Sequence, residues 1–333
     1  MNQFLSYVIT CVGLLISSYS IANDTVGAMG AGGIEFKKTS DISMEKEVLT
    51  ISTSKIRVDY QFVNITNHTI KERIYFPTPS NYGGCHTPKN DFNFQLWVNG
   101  KETGTTSAIV ARVNGVDVTE RLRSMGLSDD QIYDLNGYRP CEEDWVPLNK
   151  EEEIELKKLV DAGFVKMIGK YPSPLWNPSE VSFWDQEFPP GQVINISHEY
   201  APVIGTDSGN IDFLEKGFGI QSTKELADRL TKGSNLCIDD GTFRAAKKAE
   251  QKLGGSLRHA VVDYVLKTGA NWSGPIKDFT LNLTKASPTD VVSLCFDGNF
   301  RKTSPLVLST NKKNFVPDQD LSVLFLYYDS NYH

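Results

Sequence analysis

The chain has 333 residues, 40% of them hydrophobic and 23% charged, enough apolar material to bury one large core or two moderate ones and to exclude general disorder. A formal charge of -7, with no run of Lys or Arg, excludes a nucleic-acid surface and a polybasic membrane footprint, because both need clustered cations.

The first segment, MNQFLSYVITCVGLLISSYSIA, has an apolar stretch from Phe4 to Ile16 and then small residues, with Ser20 and Ala22 where a signal peptidase reads. It predicts a secretory signal over 1–22 and a mature chain from Asn23, periplasmic or secreted. The apolar stretch is shorter than the roughly 20 residues of a membrane span, and no span is expected in the mature chain. Export leaves Cys85, Cys141, Cys237 and Cys295, an even number in an oxidising compartment. Two disulfides follow, with three connectivities open. Pairing within each half, Cys85 with Cys141 and Cys237 with Cys295, is preferred. No C-x-x-C spacing points to a thiolate metal site.

Residues 23–33, including VGAMGAGG, read as a flexible start. Over 34–116 the pattern is β. Ile56, Val58, Tyr60 and Phe62 alternate with polar residues, Asn and Thr punctuate, and Ile74 and Phe76 resume before two prolines. This predicts a hairpin of a half-buried antiparallel sheet, with further strands over 92–98 and 108–113. The texture turns helical over 117–175. Thr119 is the expected N-cap of a first helix, with Leu122 and Met125 on one face, and Ser128 caps a second. A third helix should point Ile154, Leu156 and Leu159 inward and stop at Gly163, before the Pro-rich YPSPLWNP ends the insertion.

Strands return over 176–333. Val193, Ile194 and Ile196 lead into His198 and Tyr200 after a PPG turn, helices are expected over 223–230 and 242–253, and strands over 257–266, 279–283, 291–296, 306–308 and 321–328. In TGANWSGPIKDFTLNLTKASPTDVVSLCF, residues 268–296, Gly274-Pro275 should make the hinge of a hairpin with Trp272 covering a sandwich end. The fold class is mainly β: one or two antiparallel β-sandwich domains with a central helical insertion, α+β overall.

The runs GGIEFKKTSDISMEKEVLTIS, GVDVTERLRSMGL, FWDQEFPPG before HEYAPVIG, CIDDGTF, TGANWSGPIKDF and NFVPDQDLSVLFL stand in this order between about Ile34 and Leu326. In this the chain resembles the bacterial domain of unknown function 4424 family. The resemblance implies a secreted Gram-negative protein and a pairing of Cys237 with Cys295. It brings no activity with it.

Fragments of catalytic signatures fail on context. Ser52 and Lys55 match S-x-x-K and Lys267-Thr268-Gly269 matches K-T-G, but strand residues three apart point to opposite faces. Nucleophile-elbow, H-E-x-x-H and P-loop patterns are absent, and Gly27, Gly30, Gly32 and Gly33 open no helix. IYDLNGYRPCEE has Asp134, Asn136, Gly137 and Glu143 at calcium-loop places, yet Ile132 holds the first and Pro140 stiffens the loop. No metal or cofactor is expected. The acidic groups Glu142, Glu143 and Asp144, and Asp239 with Asp240, read as solvated or helix-capping. His259 shares a strand face with Asp263.

The aromatics remain. Trp97, Trp145, Trp176, Trp184 and Trp272 lie near strand ends, where an indole either caps the core through its ring N–H or stacks on a sugar or peptide. Trp184, His198, Tyr200 and Trp272 are the expected ligand contacts. The expected function is a non-enzymatic secreted binding or envelope-associated protein whose partner is a glycan, peptide or envelope protein. Alternatives are a cell-envelope hydrolase with convergent carboxylates and a subunit that binds proteins through a strand edge.

Overall fold

The computed structural model describes residues 25–30, 33–37, 39–77, 93–133, 149–169, 171–202, 204–205 and 236–328. The signal segment, Cys85, Cys141, the acidic run 142–144, most of the calcium-like loop and the helix expected over 223–230 lie outside them.

The largest layer is an eight-stranded sheet in the order β18 (Arg301–Lys302), β19 (Val307–Phe315), β16 (Ile276–Thr284), β3 (Ile42–Ile51), β4 (Ile56–Asn64), β13 (Val193–Tyr200), β6 (Gln95–Val98) and β7 (Lys101–Glu102). All neighbours are antiparallel except β16 and β3. A six-stranded sheet runs β2 (Gly33–Lys37), β1 (Thr25–Gly30), β5 (Ile70–Pro77), β12 (Asn177–Phe188), β8 (Thr106–Val113) and β9 (Val116–Asp117). A four-stranded sheet runs β14 (Ile204–Gly205), β15 (Arg258–Tyr264), β20 (Leu321–Tyr327) and β17 (Val291–Ser293), and β10 (Val165–Ile168) pairs with β11 (Tyr171–Pro174). Each of the two larger sheets combines strands from before and after the helical insertion.

Period-2 patterning sets which face of the large sheet is dry. Ile56, Val58, Tyr60 and Phe62 of β4 and Ile194, Ile196, His198 and Tyr200 of β13 are buried, while Arg57, Asp59, Gln61, Ser197 and Glu199 between them are not. Both smaller sheets contribute to the single cluster on that face, through Ile74, Phe76, Trp184 and Phe188 on one side and Val262, Tyr264, Val323 and Phe325 on the other. The nearly continuous apolar run of β20 has a separate cause: its second face carries Leu324 and Leu326 under α4 (Asp240–Leu253), which packs Ala246 and Ala249 on them. A strand covered on both sides loses its alternation.

The helical insertion has its own cluster. α1 (Thr119–Ser124), α2 (Asp129–Tyr133) and α3 (Lys150–Asp161) place Leu122, Ile132 and Leu159 with Trp176 over Ile109 and Ala111 of β8. The Trp176 ring N–H donates to the Ile132 carbonyl at 2.9 Å. Asn149 caps α3 in a capping box with Glu152, and Gly163, at φ +75°, follows the helix in the left-handed conformation that glycine tolerates.

Several expectations need correction. β4 and β5 are not a hairpin, and neither β12 with β13 nor β15 with β16 around Gly274-Pro275: in each case the two strands lie in different sheets. Alternation assigns faces to strands but does not choose their partners. At one corner both crossings meet, with an isolated bridge between Asn64 and Pro190 and the Gly191 N–H donating to the Asn64 carbonyl at 2.9 Å. The Gly-rich start forms a hairpin of β1 and β2, and β1 also pairs with β5. YPSP is a strand rather than a breaker. Val118, not Thr119, is the N-cap of α1; the Thr119 hydroxyl donates to Asp117 at 2.6 Å and accepts from the Ala111 N–H at 2.8 Å. Ile154 is 59% exposed, so α3 turns its inner face at Leu159 instead.

Cys237 and Cys295 form a disulfide, with Cα atoms 4.9 Å apart, that ties the segment entering α4 to the chain leaving β17. Among the described residues no helix is long and apolar enough to cross a membrane.

Candidate functional site

The four expected contact residues all join one cluster, and all are interior. His198 is fully buried, ringed by Phe76 at 4.6 Å, Phe94 at 5.4 Å, Tyr60 at 5.6 Å and Tyr200 at 6.1 Å between centroids. Tyr200 also packs on Phe76 at 5.0 Å. Trp272 lies on Phe62 at 4.3 Å, and Trp184 is buried in the same cluster. Among the described residues the ring N–H groups of Trp184 and Trp272 meet no acceptor, unlike that of Trp176. Glu47 is buried opposite Tyr60, whose hydroxyl lies 3.4 Å from that of Tyr264. A ligand could touch these groups only by parting the sandwich, so their visible work is packing.

The other candidates have local structural employment. The Ser52 hydroxyl accepts from the Lys55 N–H at 2.9 Å and donates to the Lys55 carbonyl at 2.8 Å, closing the β3–β4 turn. Lys267 pairs with Asp320 at 3.3 Å in a 3₁₀ turn. Asp239 caps α4, and the Thr242 backbone N–H at 2.7 Å together with the Thr242 hydroxyl holds its carboxyl below the usual range. Asp263 is exposed and accepts from the Ser322 hydroxyl at 2.6 Å, whereas His259 is buried. Among the described residues no group of three His, Cys, Asp or Glu side chains could hold a metal ion.

The outer face of the eight-stranded sheet is different in kind. Register places Asn195 beside Gln61 and Lys46 in one row. Trp97, Ser197, Asp59, Val48, Thr280 and Asn311 form the next, and Gln95, Glu199, Arg57, Thr50, Asn282 and Ser309 a third. None of these outward residues is buried. The first row continues to Asn99, whose side-chain oxygen accepts from the Asn195 N–H at 2.9 Å, and Gln61 donates to Asn195 at 3.2 Å. Asn99 and Gly100 both have positive φ, the Asn-Gly pattern of a tight turn between β6 and β7.

Arg57 organises the middle of the face. It donates twice to Asp59, at 3.1 and 2.8 Å, once to Glu199 at 3.1 Å, and its guanidinium lies 5.3 Å from the centroid of the Trp97 ring. The hydrogen bonds from Asp59 raise the Arg57 pKa further above its ordinary value. Lys55 shares Glu199 at 3.2 Å and Lys313 pairs with Asp278 at 2.8 Å. The sequence reading named Trp97 among the indoles that cap the core or stack on a sugar or peptide, but chose Trp184, His198, Tyr200 and Trp272 as contacts. The signal was present in the polar half of each alternation, DYQ in β4 and NIS in β13, where amides, hydroxyls and paired charges recur on one side.

Residues 22–324 match the family described as Domain of unknown function (DUF4424), and the chain belongs to it, as the sequence resemblance implied. No curated protein matches the chain. Among solved structures, a "putative nutrient binding protein" of Legionella pneumophila is similar at 17% identity with a TM-score of 0.43, over 91% of this chain and 72% of that one.

Proposed function

We propose that this family member is an exported, non-enzymatic binding protein of the cell envelope or its surroundings, and that it takes its ligand on the outer face of the eight-stranded sheet. The observation that carries this reading is the set of three polar rows around the half-buried Trp97, spread over strands whose other face is a single hydrophobic cluster. A rigid sheet holds such side chains in fixed register, which lowers the ordering cost of recognition. Export is supported by the apolar leader with Ser20 and Ala22 and by the oxidised Cys237–Cys295 pair, a bond that persists in oxidising compartments.

The test is a thermal-shift screen of the mature chain from Asn23 against glycans, peptidoglycan fragments, peptides and lipids. A ligand at about a hundred times its Kd stabilises the fold by about 2.7 kcal/mol, a visible shift. The expected result is a reproducible shift with one class that disappears in Trp97→Ala. Turnover of a glycosidic, ester or peptide substrate by the same preparation, lost on Glu199→Gln, would replace this reading with the hydrolase alternative.

A further inference from the structure

Resting on the assignment of that face to ligand binding, we infer that its occupant is a neutral oligosaccharide chain lying across the strands, with Trp97 as the stacking platform. Three features of the surface select this chemistry. The first is charge balance. Arg57 is matched by Asp59 and Glu199, Lys55 by Glu199, and Lys313 by Asp278, each within 3.2 Å. Lys46 faces the field of Asp278, which it helps to hold below the usual carboxylate range after the larger effects of Lys313 and Asn311. A phosphate, a uronic acid chain or an acidic peptide would need surplus cations here, and a basic peptide surplus carboxylates. Lys46, together with Arg301 beside Ser309, is set against Glu102 beside Trp97, so the face carries no cluster of either sign and an uncharged partner desolvates it at the lowest cost.

The second feature is the kind of polar group. Asn99, Asn195, Gln61, Asn282 and Asn311 supply donors and acceptors on the same side chain, and Ser197, Thr50, Thr280 and Ser309 supply hydroxyls that do both. Sugar hydroxyls also donate and accept, so amides and hydroxyls can satisfy them in either sense. A lipid or an apolar peptide face would leave the donors and acceptors that these groups do not already spend on one another without partners, at about 1–3 kcal/mol for each buried one. Val48 is the one aliphatic side chain in the three rows.

Geometry is the third. Trp97 is half-buried on β6, between Ser197 of β13 and Glu102 of β7, with its ring near the Arg57 guanidinium, so the indole is held by its neighbours rather than free to rotate. An oriented indole suits stacking on the C–H face of a pyranose ring. From β6 to β19 the polar rows cross five strand gaps, about 24 Å at the ordinary strand spacing, long enough for several sugar rings. The adaptable end of this surface is the amide row. Its fixed end is the Arg57–Trp97 pair.

Isothermal titration of the mature chain tests the inference with four neutral hexasaccharides, maltohexaose, cellohexaose, xylohexaose and chitohexaose, and with hexagalacturonate as the charged control. The expected result is binding of at least one neutral chain, with an affinity that stays constant over about a tenfold range of salt, because no counterions are released. Trp97→Ala should weaken it by about tenfold, the equivalent of one stacking contact, and Asn195→Ala by a few-fold. Unchanged thermal midpoints for both variants without ligand verify that the fold is intact. Salt-sensitive binding of hexagalacturonate in place of the neutral chains would overturn the inference. So would silence from all five saccharides; if a peptide or a phosphatidylglycerol vesicle then bound in a Trp97-dependent way, the face would stand and only its ligand class would fall. Neutral-chain binding untouched by both substitutions would overturn the placement on this face.

Discussion

Removing the Cys237–Cys295 disulfide is the sharpest test of how the C-terminal part of the molecule is held. The bond closes a loop spanning 58 positions, and the loop-closure relation gives about 4 kcal/mol for a cross-link of that length at 25 °C. Its native-state neighbourhood argues that the full value is realised. The Ser293 hydroxyl donates to the Leu236 and Cys237 carbonyls at 2.8 and 3.1 Å, and Leu236 packs with Ala246, Ala249, Leu324 and Leu326. The sulfurs therefore join two segments that are already held together, and the cross-link acts mainly on the unfolded chain. The double variant Cys237→Ser/Cys295→Ser should lose about 4 kcal/mol in urea denaturation, with a larger urea dependence because the unfolded chain opens further. At roughly 2.1 cal/mol/K per residue this corresponds to a fall in Tm of roughly 6 °C for a chain of this size. Hydrogen exchange should quicken first in α4. A loss below about 1 kcal/mol with an unchanged urea dependence would refute the loop-closure reasoning.

Trp272→Ala should cost about 3–5 kcal/mol in urea denaturation, since it empties a site packed on Phe62, whereas Trp272→Phe should cost far less because it keeps a ring there and removes an N–H that meets no acceptor. Asn64→Ala should destabilise by about 2–3 kcal/mol, because the Asn64 amide donates to the His68 and Phe188 carbonyls at 2.7 Å each; equal stability of wild type and variant in the same assay would show that the corner is held by other contacts. Burial raises the pKa of Asp290, more than the Ser287 N–H and Lys285 offset, so the folded state holds the proton more tightly than the unfolded one. Stability should therefore fall as pH rises from the ordinary aspartate pKa to the raised folded value and level off above it; Asp290→Asn should flatten this slope in urea denaturation run across that range.

Much of the fold was legible in the sequence because burial on one side imposes a period. β4, β13 and β16 could be placed within a few residues from their alternating apolar positions, α4 within a few residues of its expected range, and α3 from its stop at Gly163 and the inward Leu159. Pairing was not legible. Asn64 and the PPG stretch look like hairpin turns, being Asn and Gly between apolar runs. In three dimensions the Asn64 amide, at the end of β4, bridges the carbonyl of His68 in the connection to β5 and that of Phe188 at the end of β12, and the chain changes layer at both places. Nothing local distinguishes a turn that reverses a strand within a sheet from a corner that passes it to the next one. Only the partner strands decide.

The same physics explains why the sequence reading was drawn to the inward side of the strands. Large aromatic residues are scarce, and an argument from side-chain chemistry gives them weight as ligand contacts; but a sandwich that covers an eight-stranded sheet needs large rings to fill the space between its layers, and Trp184, His198, Tyr200 and Trp272 meet that need. The residues between them are short, polar and individually ordinary. Register turns them into a surface: Gln61, Asp59 and Arg57 acquire meaning when β13 brings Asn195, Ser197 and Glu199 alongside and β6 adds Trp97 to the row of Asp59 and Ser197. Each strand thus carries two messages at alternate positions, one read by the core and one by whatever meets the sheet, and the second is composed only after the strands have found their neighbours.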